Sequence, residues 1–85
     1  MIKYVVSPEH KERVSAIKAN LARAGKSPSD LGRHFGVSAS NIYDTFKGRY
    51  EDDVLNESIS NYETYLHALL GVRYVEPYLK DLNNS

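Results

Sequence analysis

The chain contains no cysteine, which removes disulfides, thiolate nucleophiles and cysteine-based zinc sites, and agrees with an intracellular location. It has no net charge, with eleven basic residues against eleven acidic ones. No apolar run approaches the ~20 residues of a membrane span, and the start MIKYVVSPEH lacks the long apolar stretch and small-residue cleavage site of a signal peptide. A cytoplasmic protein with no membrane partner is expected. No glycine-rich phosphate loop is present, because Gly25, Gly32, Gly36, Gly48 and Gly71 all fit helix ends or close packing. His10, His34 and His67 stand far apart, so no metal site is expected, and no serine is placed in an order that suggests a Ser-His-Asp triad. The expectation is a chain that is not an enzyme, with no cofactor and no small-molecule ligand.

What the chain does have is helix punctuation. Its 85 residues are read as one domain with a modest core, residues 1–85, a size at which burial against a partner often adds stability. The expected class is mainly α with four helices. Ser7 and Pro8 open a first helix, and Val14, Ile17, Leu21 and Ala24 recur at spacings of three and four until Gly25. Lys11, Arg13, Lys18 and Arg23 fall off that stripe and are expected to be solvated, with some in reach of a phosphate backbone.

The stretch SPSDLGRHFGVSASNIYDTFKG, residues 27–48, is the most informative. Ser27, Pro28 and Asp30 form the start of a helix running from Pro28 to Phe35, and Gly36 suits a left-handed turn. Ser38 caps a second helix from Ala39 to Lys47, which Gly48 ends. Leu31, Phe35, Val37, Ile42 and Phe46 are left to bury, and Gly32, one turn before Gly36, allows close approach of the second helix. Two short helices joined in this way outline a helix-turn-helix, whose second helix places its N-terminal residues against base edges in the major groove.

The residue types on that second helix suit base edges. Ser40 pairs with any base, Asn41 bidentately with adenine, Asp44 with a cytosine amino group, Lys47 with guanine or a phosphate, and Tyr43 packs on a thymine methyl. Asp44 is also readable as an ordinary helix-face partner of Lys47, three residues on. Arg33, Arg49 and the Ser29 hydroxyl, with the amides at the helix starts, are candidates for phosphate contacts. The candidate DNA-contacting set is therefore Ser29, Arg33, Ser38, Ala39, Ser40, Asn41, Tyr43, Asp44, Lys47 and Arg49.

At the level of this motif the chain resembles the small phage repressor and Cro proteins, including the Ner-like regulators of Mu-type phages. Leu31-Gly32, Phe35-Gly36-Val37, Ile42 and Phe46-Lys47-Gly48 sit at the family's spacing. The family usually carries alanine in place of Gly32, glutamine in place of Pro28 and an aliphatic residue in place of Thr45. The resemblance implies a dimeric reader of a near-palindromic operator that represses or redirects transcription.

The charge is unevenly placed. Residues 1–50 hold nine Lys or Arg against four Asp or Glu, and residues 51–85 hold two against seven. The basic half contains the motif, as counterion release on binding duplex DNA requires. Asp52 and Asp53 favour the start of a long helix over about 52–70, along which Leu55, Ile59, Tyr62, Leu66 and Leu69 form a narrow seam. That seam either covers the motif's core or joins two subunits. IKYVV at residues 2–6 and VRYV at residues 72–75 read as short strands that pair with each other or across a dimer. Tyr62, Leu66, Leu69, Val72 and Tyr74 are the expected dimer interface. Two other readings stay open: an architectural or recombination-directing DNA binder, and a protein-interaction module such as an antitoxin-like or anti-repressor subunit that uses the acidic, tyrosine-rich end.

Overall fold

The computed structural model describes residues 7–78. Four helices make up the described chain: α1 (Pro8–Arg23), α2 (Pro28–Phe35), α3 (Ala39–Phe46) and α4 (Asp52–Leu70), followed by a single 3-10 turn, Gly71–Arg73. The expected strand IKYVV lies outside the described residues.

Local chemistry sets the helix starts. Ser7 Oγ accepts the His10 N–H at 3.1 Å, with Pro8 in the first turn of α1. At α2 the Asp30 N–H donates to Ser27 Oγ at 3.3 Å while the Ser27 N–H donates to Asp30 Oδ2 at 2.8 Å, a reciprocal capping box. Ser38 Oγ accepts the Asn41 N–H at the head of α3. No side chain caps α4; Asp52 and Asp53 favour its start through the helix dipole alone.

Between α2 and α3 the chain reverses at Gly36, with φ 72° and ψ 31°, a region costly to residues with a Cβ. Gly32 sits where the turn comes back. A Cβ there would lie 2.7 Å from the Val37 carbonyl oxygen. The backbone of the turn, and not the Val37 side chain, thus fills the space over α2, and Val37 is left 39 % exposed in place of the burial expected for it.

One core joins the helices. Val14, Ile17 and Leu21 of α1, Leu31 of α2, Ile42 and Phe46 of α3, and Ile59, Tyr62 and Leu66 of α4 form it, with Phe35, Tyr65 and Tyr74 against its edge. The rings of Phe35 and Phe46 both approach Tyr62, at 5.4 and 6.3 Å between centroids. The buried row of α4 runs Leu55, Ile59, Tyr62, Leu66 and Leu70, so it ends on Leu70, and Leu69 faces out. Tyr62 and Leu66, expected at a dimer seam, are consumed by the chain's own core.

Two long-range polar contacts close the bundle. Arg13, expected to be solvated, is half-buried: its Nε donates to Glu63 Oε2 at 3.0 Å and its Nη2 to Glu63 Oε1 at 2.6 Å, joining α1 to α4. This hydrogen-bonded carboxylate holds the guanidinium pKa above its ordinary value. Asn20 is wholly buried on α1; its Nδ2 donates to the Val75 carbonyl at 2.9 Å and its Oδ1 accepts the Val75 N–H at 2.8 Å. Both ladder groups of Val75 are therefore taken by a side chain. The expected strand at residues 72–75 is instead the 3-10 turn Gly71–Arg73 followed by an extended segment, and no strand occurs among the described residues. Asn20→Ala strands both Val75 groups and should lower unfolding free energy by about 1–2 kcal/mol, measured by urea denaturation. An unchanged midpoint would show that the segment is not fastened there.

Candidate nucleic-acid interface

α3 has two unlike sides. Ile42, Thr45 and Phe46 are buried, and the one polar group among them is satisfied locally, since Thr45 Oγ1 donates to the Asn41 carbonyl at 2.9 Å. On the other side Ser40, Tyr43, Asp44 and Lys47 recur at the three- and four-residue spacing of a single helix face. Ser40, Tyr43 and Lys47 are exposed, and Asp44 and Ala39 are half-buried at the margins. The Ser38 hydroxyl oxygen is occupied by its capping bond.

Asn41 stands at the edge of this face. It is half-buried, and its Nδ2 donates to the Tyr50 hydroxyl at 3.3 Å. That leaves Oδ1 and the second amide hydrogen for a base edge. Tyr50 steadies the amide from the loop after α3, a role that no local pattern announces.

The arginines nominated for phosphate contact are both exposed and both paired. Arg33 bonds to Asp30 one turn before it, and Arg49 Nη1 lies 3.5 Å from Asp44 Oδ1. The bond from the Ser27 backbone N–H, then that from its hydroxyl, holds the Asp30 carboxyl below its ordinary pKa, with Arg33 adding to the effect. Ser29, in the first turn of α2, is exposed.

His10, from which no metal site is expected, has a structural partner instead. Its Nε2 sits 3.1 Å from the Thr45 carbonyl and 3.2 Å from that of Phe46, so the first turn of α1 supplies a donor to the last carbonyls of α3. Thirty-five residues separate these partners, which is why no local pattern announces the contact. Lys18 adds a second tie, its Nζ lying 5.7 Å from the Phe46 ring centre.

Of the five residues expected to join subunits, Tyr62 and Leu66 are internal and Tyr74 is half-buried against the core. Leu69 and Val72 remain exposed, at 47 % and 104 %.

An open groove of about 610 Å³ lies elsewhere on the molecule, between α1, α4 and the extended segment, and includes no residue of α2 or α3. Arg13, Glu63, His67 and Tyr74 line it. Burial, and then the Glu63 and Glu76 carboxylates, push the Tyr74 hydroxyl up to about 12, so it stays a neutral phenol. Among the described residues no group of three His, Cys, Asp or Glu side chains is arranged to hold a metal ion, and no helix is long and apolar enough to cross a membrane.

Comparison with known proteins finds no matching family model, no matching curated protein and no matching solved structure.

Proposed function

We propose that the chain is a sequence-specific DNA-binding regulator of the helix-turn-helix type, in which α3 enters the major groove and α2 crosses the backbone beside it. The observation that carries the reading is the outward row of α3, Ser40, Tyr43, Asp44 and Lys47, set on a helix whose opposite side is locked into the core. Supporting it are the concentration of basic residues in residues 1–50 and the tight α2–α3 approach at Gly32. The motif's likeness to phage repressor and Cro proteins extends the proposal to operator occupancy that blocks or redirects transcription.

In this reading two copies bind a near-palindromic site with half-sites about 34 Å apart, one helical turn of duplex. Because Tyr62 and Leu66 are internal, their pairing falls to Leu69 near the end of α4 and Val72 in the turn after it. A protein-interaction role draws on the same two exposed residues, at the acidic end of the chain; the basic character of the half bearing α3 favours DNA.

Selection of bound sequences from random duplex DNA tests the proposal. A two-fold symmetric consensus supports it, and failure to enrich any sequence overturns it. Once a site is known, alanine at Lys47 or at Asn41 should weaken specific binding by about 1–3 kcal/mol and relax preference at one base pair, with the thermal midpoint little changed. Equal losses on specific and random duplex would limit these residues to backbone contact.

A further inference from the structure

We propose that Asp44 acts as a brake on the sequence-independent attraction to DNA, its carboxylate occupying the Arg49 guanidinium in place of a phosphate, and that it reads no base. The inference rests on the DNA-binding reading above.

Local geometry brings the pair together. At the end of α3 the Gly48 N–H donates to the Thr45 carbonyl at 3.1 Å and the Arg49 N–H to the Asp44 carbonyl at 3.0 Å, the two bonds of a Schellman motif. This turn folds residue 49 back over residue 44, so the two side chains meet, with 3.5 Å between Arg49 Nη1 and Asp44 Oδ1.

The two acidic residues of the α2–α3 pair differ in what they hold. Asp30 accepts both the Ser27 N–H, at 2.8 Å, and the Ser27 hydroxyl, at 3.0 Å, and so builds the start of α2. Among the described residues, the Asp44 carboxylate makes no capping bond, and Arg49 is its partner. Asp44 is also less exposed than Ser40, Tyr43 or Lys47, and its bond to Arg49 holds it toward the turn at the margin of the outward row.

Electrostatics gives the arrangement a consequence. A carboxylate beside Arg49 repels phosphate and cancels the charge that would attract it, lowering affinity for every duplex alike. A uniform loss leaves the ratio between operator and random duplex unchanged, so the effect is read in affinity and salt dependence and not in base preference. An exposed pair of this kind is held weakly, so it cancels only part of the attraction.

The test is Asp44→Asn, titrated against the selected duplex and a random duplex over a range of salt. Affinity for both should rise about two- to tenfold near 0.1 M salt, and the salt dependence should steepen by roughly one phosphate's worth, about 0.9 in log-log slope. Base preference should be unchanged. With Arg49→Gln already in place, the gain from Asp44→Asn should shrink. Loss of preference at a C·G pair would make Asp44 a base reader and overturn the brake, as would unchanged affinity and slope. A parent chain that binds no duplex would instead overturn the DNA-binding reading, and the brake with it.

Discussion

Leu66→Glu should abolish the folded state. Leu66 has no exposed surface and lies in the core formed by all four helices. Removing a buried leucine costs about 2–5 kcal/mol, and a carboxylate in its place adds the penalty of an unpaired buried polar group. The total reaches the whole stability expected of so small a domain, about 5–10 kcal/mol. Far-UV circular dichroism and amide dispersion should both show an unfolded chain at room temperature. Leu69→Glu, three residues further along the same helix but exposed, should stay folded with its helix content nearly unchanged. A folded Leu66→Glu protein that had only changed its association state would return Leu66 to a subunit seam and refute the core as described.

Gly32→Val should be nearly as damaging, for a steric reason. The added Cβ meets the Val37 carbonyl oxygen at 2.7 Å and the Ser38 backbone at 3.4 Å. Both neighbours are main chain in a tight turn, so neither can swing aside as a flexible side chain would. Helix propensity favours any such substitution over glycine by up to about 1 kcal/mol, but the overlap outweighs it, and a net loss of about 3 kcal/mol is expected for valine. Alanine, with only the Cβ to place, should cost less but still destabilise. Chemical denaturation of the glycine, alanine and valine series checks the order; an alanine form more stable than the parent would show that α2 and α3 stand further apart.

The positions that were legible in the sequence are those decided by neighbours a few residues away. Ser27, Pro28, Asp30 and Gly36 bracket α2 within one short window, and its observed bounds coincide with the expected ones. The outward row of α3 follows from helical periodicity in the same way. α4 shows where such reasoning runs out: a seam spaced alternately four and three suits supercoiled helices, whereas a straight helix drifts by some 20° per heptad. After four turns the buried leucine is Leu70, not Leu69. Contacts across the fold left no trace in local pattern. Val72 to Val75 has the composition of a strand, yet Asn20, 55 residues earlier, takes the Val75 backbone groups. Arg13 carries a charge that argues for solvent, yet Glu63, 50 residues later, draws it inward. Within the candidate interface, the residues of the α3 face were readable, while the Tyr50 and His10 contacts that steady the helix were not.

The clasp between Asn20 and Val75 also dictates when this chain can finish folding. The amide of Asn20 sits in the interior with no solvent to satisfy it, and its two partners belong to a residue near the end of the described chain. Until that residue has left the ribosome, α1 carries a polar group that its own hydrophobic stripe would have to bury unpaired, so early collapse around α1 is penalised. α2 and α3, whose contacts are short in sequence, can form as soon as they emerge. The later-made segment then completes α1, and a nascent chain halted before Val75 should stay open to proteases while one extended past it closes in a single cooperative step.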